Sequence, residues 1–341
     1  MDGLPYNFKK EGLIMNHRER IMAAFNGQPV DRVPFSFWFH FVEHEDKVDA
    51  MEDPGILDAL YEGHRRYINE VQPDFVKVMC DGLFRYPSDG LVHFKSVEDF
   101  AGVEALDRDH PWIQAHVKSA RRISRLRDET VYIYNVFSPS MLFRILHGEE
   151  VFMAAFREDP VKMSDAMKRI SRGTVNLVRA LMEDGGMDGI YYCVQNQNVD
   201  LISDEEHEKY FGEADRQVLE AANAINDCSI LHVCGYEGRH NHVDQWTGYK
   251  SKAVNWAVNV EGLSLSEGRK LFGDRCVVGG FANTAQGILN TGSEAQIKAA
   301  ARKIVEEAGR EGLVVAADCS LPFSIDWQRL IWVREALESL G

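Results

Sequence analysis

Eight short apolar runs punctuate the chain: VPFSFWF from Val33, FVKVM from Phe75, VYIYNVF from Val131, GIYYCVQ from Gly189, CSILHVC from Cys228, AVNWAV from Ala253, CVVGGFA from Cys276 and LVVAADC from Leu313. Each is rich in β-branched and aromatic residues and nearly continuous in its apolarity, as a strand buried on both faces must be. The intervening segments have helical spacing and start signals. Ser203 with Glu206, Ser264 with Glu267 and Ser293 with Gln296 read as capping boxes, and Asp53-Pro54 and Asp159-Pro160 as helix starts. An open doubly wound sheet shares this one-dimensional pattern, but strands alternating with helices eight times over favour an α/β (β/α)8 TIM barrel. The second and third runs, and the third and fourth, are separated by about fifty residues, so additional helices are expected in these early crossovers.

Length and composition narrow the picture. The 341 residues, 45% of them hydrophobic, suit one barrel domain spanning 1–341, with 1–14 expected as a flexible or loosely packed N-terminal segment. A formal net charge of -15 argues against a nucleic-acid surface, which requires clustered Lys and Arg, and points to a small-molecule substrate or an uncharged or basic partner. The six cysteines form no dense framework, which suits a reducing compartment. The first residues lack a sustained apolar core and no long apolar run occurs, so no membrane association is expected and the cytoplasm is the expected location.

In a barrel of this kind the C-terminal strand ends converge on the active site. The fifth run ends in His232-Val233-Cys234, and residues two apart on a strand point the same way, so imidazole and thiol can address one ion. The eighth ends in Asp318-Cys319, placing a second thiol at the corresponding end of another strand. Three ligands of His-Cys-Cys type leave a fourth position of a zinc ion open, as catalytic sites do, and zinc favours thiolate over thiol at neutral pH. The plainer reading is that these cysteines are small buried hydrophobes. Cys80, Cys193, Cys228 and Cys276 lie within apolar runs and take that reading.

With these residues in place, the chain resembles the uroporphyrinogen decarboxylase superfamily, and within it the zinc-dependent methyltransferases of the methylcobamide:coenzyme M type, which move methyl groups from a corrinoid to a thiol. The resemblance starts at RERIMAAFNGQPVDRVPFSFW (Arg18 to Trp38) and continues through VKVMCDG, LHVCG, VVGGFAN and DCSLPFSIDWQRL. Asp81 stands where the decarboxylases place their catalytic aspartate. Their Arg-Gln-Ala-Gly-Arg motif is replaced by Phe39-His40-Phe41-Val42-Glu43, Ile145 stands near the position of their tyrosine, and their late Gly-His-Gly gives way to Asp318-Cys319-Ser320. The methyltransferase branch carries His-x-Cys and a distant Cys, which His232, Cys234 and Cys319 match. Relatives often add a carboxylate near the end of the sixth strand, where this chain has Asn255-Trp256; the nearest acid is Glu261.

The resemblance implies zinc as cofactor, a methylcobamide donor carried by a corrinoid protein partner, and a small-molecule thiol acceptor. A tetrapyrrole carboxy-lyase and a non-catalytic zinc-binding barrel are the alternatives. His40, Asp81, Gln195, Asn255 and Trp256 are the candidates for substrate contact. Asp81 equally suits a turn cap, and Gln195, Asn196 and Gln197 suit an ordinary loop. His44, His240 and His242 fall on loops expected at the active face, where most histidines have no chemical role.

Overall fold

The computed structural model describes residues 14–43, 47–80, 82–196, 201–235 and 238–341. The expected N-terminal segment 1–14 therefore lies almost wholly outside the described residues. Seven strands form one parallel sheet in sequence order: β1 (Phe75–Val78), β2 (Val131–Phe137), β3 (Gly189–Val194), β4 (Ile230–Val233), β5 (Ala253–Trp256), β6 (Cys276–Phe281) and β7 (Leu313–Ala317). The register runs Phe75 against Val131, Ile133 against Gly189, Tyr191 against Ile230, Ile230 against Ala253, Ala253 against Cys276 and Val277 against Leu313. Nearly every strand residue is buried, because helices cover one face and the curl of the sheet covers the other.

The run from Val33, expected as a strand, is not one. Residues 33–39 make two isolated parallel bridges to the β7 side, Phe35 with Val315 and Phe39 with Leu321. On the other side, Asp74 N donates to Phe35 O at 2.9 Å and Ser36 Oγ to Phe75 O at 2.7 Å, so the segment lies between the two edge strands. Two local facts interrupt the ladder. Pro34 has no N–H to give, and both backbone groups of Phe37 are taken by one side chain: its N–H donates to Tyr67 Oη at 3.0 Å and its carbonyl accepts from that hydroxyl at 2.6 Å.

Helical segments fill the connections. Between β1 and β2 lie Asp89–Val92, a 3₁₀ turn at Val97–Gly102 and Pro111–Ser124; between β2 and β3 lie Pro139–His147, Glu149–Glu158 and Pro160–Glu183. The three capping boxes at Ser203, Ser264 and Ser293 form. Asp159 caps its helix by accepting from Val161 N and Lys162 N, with Pro160 in the first turn. Asp53-Pro54 acts two residues early: the helix is Ile56–Val71, and Asp53 bonds Gly55 N instead of capping it. No helix among the described residues is long and apolar enough to cross a membrane.

The amino-terminal ends of the strands are tied by ion pairs. Asp74, fully buried just before β1, accepts from Arg20 Nη1 at 2.7 Å, Arg32 Nη1 at 2.6 Å, His17 Nδ1 at 3.0 Å and Phe35 N at 2.9 Å. Arg20 also grips Asp31, with Nε and Nη2 each at 2.7 Å. Burial alone would push the Asp74 carboxyl up, but these cations and hydrogen bonds hold it well below the usual carboxylate range.

Candidate metal centre

His232 is the third residue of β4, Cys234 follows the strand's end, and Cys319 lies two residues beyond the end of β7. One ligand atom from each falls within 4.8 Å of the others, and Cys319 Sγ is 3.5 Å from His232 Nε2. In a flat sheet, strands three apart would be about 14 Å from each other. The curl of the sheet and the inward reach of the side chains close that gap. A sulfur and a nitrogen sharing a tetrahedral zinc stand about 3.6 Å apart, given the usual bond lengths. The cluster therefore has the spacing of a zinc site.

The imidazole is oriented from behind. Asn255 on β5 donates through Nδ2 to Val278 O at 2.7 Å and Ala317 O at 3.1 Å, which leaves its Oδ1 as acceptor. That oxygen takes Tyr191 Oη–H at 2.6 Å and His232 Nδ1–H at 2.5 Å. With the proton on Nδ1, the His232 lone pair is on Nε2 and faces Cys319, the arrangement in which histidine binds a metal. Tyr191 stacks on His232 with 4.9 Å between ring centroids, and Lys77 Nζ lies 4.4 Å over the other ring, that of Tyr191.

His232 and Cys234 are almost wholly buried. The Cys319 thiol is nevertheless held well below its ordinary value: a hydrogen bond from Cys234 outweighs burial, and the charge of Lys77 acts in the same direction. By contrast, burial pushes the thiols of Cys228 and Cys276 up to about 12, as befits inert core cysteines. A thiolate-favouring Cys319 and a second thiol beside an imidazole lone pair make a donor set that suits a thiophilic, nitrogen-accepting ion.

Two of the expected substrate contacts, Asn255 and Trp256, stand next to each other on β5. Both are fully buried. Asn255 serves as the acceptor behind His232, while Trp256 is on the opposite side of β5, where its Nε1 donates to Leu263 O at 2.9 Å and its ring fills the space over Gly268. His40 is half-buried, next to the Phe39–Leu321 bridge and so near the segment that carries Cys319. Gln195 is buried at the end of β3. Asn196 ties the end of β3 to the segment after β4 by accepting from His242 N at 3.0 Å and donating to Gln245. Asp81, His44 and Gln197 lie outside the described residues.

Glu261 is not in the cluster. It accepts from Asn241 N at 2.9 Å and Asn241 Nδ2 at 2.8 Å, and Asn241 in turn donates to Cys234 O at 2.9 Å, so this acid ties the loop to the strand end that carries Cys234. His240 Nδ1 is 3.7 Å from Glu261 and His242 Nδ1 is 2.6 Å from Asp204, both on exposed imidazoles. Gly280, with φ +119°, admits Ile304 where a Cβ would come within 2.9 Å of it, so this glycine relieves crowding against the helix layer. Sequence reasoning did not single out Lys77, Tyr191 and Arg144. Lys77 had a signal, being the charged residue inside FVKVM.

The uroporphyrinogen decarboxylase (URO-D) family model matches residues 86–340. The chain belongs to that family. A curated relative, the methylcobamide:CoM methyltransferase MtbA of Methanosarcina mazei, is 20% identical over 309 residues, covering 85% of this chain and 88% of the relative. Among solved structures, a methyltransferase from Methanosarcina mazei superposes with a TM-score of 0.72 over 96% of this chain and 99% of that one, at 14% identity. A β-mannanase from the blue mussel Mytilus edulis has a TM-score of 0.50 at 11% identity, covering 91% of this chain and 94% of its own. At these identities the structural likenesses speak to fold alone.

Proposed function

We propose that this protein is a zinc-dependent methyltransferase that moves a methyl group from a methylcobamide donor, carried by a corrinoid protein, to a small thiol. The observation that carries the reading is the cluster of His232 Nε2, Cys234 Sγ and Cys319 Sγ, with Asn255 setting the imidazole tautomer. A methylcobamide:CoM methyltransferase aligns with 85% of this chain, which supports the same class of reaction. In this reading the fold is a closed eight-stave barrel in one domain, with residues 33–39 as the irregular first stave.

His232, Cys234 and Cys319 would hold the zinc, which would supply a positive centre that favours the thiolate form of an acceptor thiol. The protein's own part is to hold the ligand set ready. Asn255 keeps the Nδ1 proton of His232 engaged, so the ring does not have to reorient. Burial of His232 and Cys234 keeps water from solvating the sulfur and weakening its nucleophilicity. In the transfer, the acceptor thiol loses its proton to solvent and its sulfur forms the new bond to the methyl carbon. The donor's carbon–cobalt bond breaks at the same time and leaves its electron pair on the donor.

Metal analysis followed by zinc-edge absorption spectroscopy, with and without an added thiol, tests the reading. The expected result is about one zinc per chain, with a further sulfur in its shell when thiol is present. With methylcobalamin as surrogate donor, cob(I)alamin or its oxidation product should appear only when thiol and metal are both supplied. Demethylation that proceeds equally without metal would overturn the assignment.

A further inference from the structure

A lysine stands inside the curl of the sheet where the strand pattern calls for an apolar residue. β1 reads Phe75-Val76-Lys77-Val78 and is buried at every position. Side chains alternate between the two faces of a strand, and Lys77 points to the face that carries Tyr191. It is only 4% exposed. A buried ammonium is costly, and a strand covered on both faces gains nothing in packing by keeping one.

Two rings connect this lysine with the metal cluster. Lys77 Nζ lies 4.4 Å over the centre of the Tyr191 ring and 5.7 Å from that of Trp38, and the two rings meet edge to face at 5.1 Å. Tyr191 stacks on His232 and donates to Asn255, the acceptor behind that imidazole. Trp38 O accepts from Leu321 N at 2.8 Å, two residues beyond Cys319. Lys77 is therefore enclosed by the groups that hold His232 and the Cys319 segment in place. Its charge and that of the Cys319 sulfur attract one another, and burial of the ammonium leaves little solvent to screen it.

The charges of the ligand set give this cation a use. A divalent ion held by one neutral imidazole and two thiolates makes a neutral assembly. An anion added to it leaves a net negative charge where water does little to disperse it. A cation beside the cluster offsets that charge.

We propose that Lys77 is a positioning residue whose ammonium supplies the counter-charge for an anion bound to the metal, so that a sulfur held there as thiolate does not leave the cluster negative. The proposal rests on the metal reading of His232, Cys234 and Cys319 and, for the sulfur, on the thiol reading.

Spectroscopic titration of the cobalt(II)-substituted protein with azide, an anion, and imidazole, a neutral ligand, tests it on wild type, Lys77→Met and Lys77→Arg. Zinc-edge absorption with 2-mercaptoethanol on the zinc-loaded proteins reads the thiol. All three proteins should hold about one metal ion per chain. Lys77→Met, which keeps the apolar stem, should bind azide about tenfold or more weakly than wild type and imidazole equally well. It should also need more thiol before a further sulfur appears, and Lys77→Arg should recover most of both losses. Unchanged azide affinity in Lys77→Met, or equal losses for azide and imidazole, overturns the proposal, since the first shows no charge coupling and the second a distorted site. Should Lys77→Met fail to hold metal, Lys77→Gln takes its place, and loss of metal in both overturns the proposal in favour of a structural lysine. If azide shows the expected charge dependence but no sulfur enters the shell of any variant, the counter-charge stands and the thiol reading falls. If wild type takes up neither azide nor thiol, the proposal fails.

Discussion

Two buried polar clusters at opposite ends of the sheet treat their charges differently. At the amino ends, Asp74 is fully buried and surrounded by Arg20, Arg32, His17 and the Phe35 amide, and Arg18 grips Asp188 through both carboxylate oxygens at 2.7 and 2.9 Å. At the carboxyl ends, buried atoms go without partners: Arg144 Nε, both nitrogens of His207, Asp215 Oδ1 and Asp318 Oδ1. Burial pushes the Asp318 carboxyl up to about 6. A saturated network stabilises and rigidifies, whereas an unsaturated one stores the capacity to bind. The division matches the barrel rule that one rim carries stability and the other chemistry.

The contrast can be broken at its strongest point first. Cys234→Ala and Cys319→Ala each remove one of three ligands, so purified protein should fall from about one zinc per chain to nearly none while keeping its helical circular dichroism, because the ligands cap a prebuilt sheet. Full occupancy in both variants would remove the site. Loss of fold in both would move the metal from chemistry to architecture.

Next in size is the opposite rim. Asp74→Ala leaves Arg20 and Arg32 buried beside no counter-charge, and should lower unfolding stability by about 3–5 kcal/mol, read from urea denaturation, without changing zinc content. A loss of zinc with the fold intact would mean that the two rims are not independent. The sign of the pH dependence follows from Asp74 being held below its unfolded value of about 3.9. Its stabilisation is complete above that pH and drains away as acid is taken down through the folded value. The gap between wild type and Asp74→Asn should therefore narrow on acidification below about pH 4, and a gap that widens there would contradict the ion-pair account.

Smaller effects sharpen the chemical rim. Asn255→Leu removes the acceptor of His232 Nδ1–H and should weaken zinc binding about 10- to 100-fold in a chelator competition, with Asn255→Asp recovering most of it. Unchanged affinity would show that the tautomer is set by something else. Tyr191→Phe removes one of the two donors to Asn255 Oδ1 and leaves the His232 bond in place, so zinc affinity should change by no more than about tenfold, near 1 kcal/mol. An effect as large as that of Asn255→Leu would make Tyr191 an equal partner in orienting the ring.

The strands were legible because burial on both faces leaves a direct imprint on composition. VYIYNVF coincides with β2, and GIYYCVQ, AVNWAV and LVVAADC contain β3, β5 and β7 with one or two residues to spare. His232 and Cys234 were legible because strand alternation places them on one side, and Cys319 because it ends an equivalent run. Asn255 was expected as a substrate contact, and its place behind His232 was not legible. Its role depends on carbonyls of Val278 and Ala317, which lie on β6 and β7 and which no local pattern connects to it. Arg144 was missed for a related reason: an arginine on an amphipathic helix normally faces solvent, and only packing against β3 reveals that this one is buried without a partner.

The amino-acid sequence by itself determined where the strands and capped helices lie and which residue types stand at the strand ends, since these follow from local burial, periodicity and capping chemistry. Tertiary structure alone decided three things. The curl of the sheet brings Cys319 to 3.5 Å from His232 across 87 residues of chain. The run from Val33 bridges the two edges without becoming a strand, because Tyr67 occupies both backbone groups of Phe37. Asp74 at one rim is met by four donors, while Arg144 Nε and Asp215 Oδ1 near the other have no partner. Each depends on where distant segments meet, and in a parallel sheet every strand contact is long-range, so the deciding partner is never the next residue along.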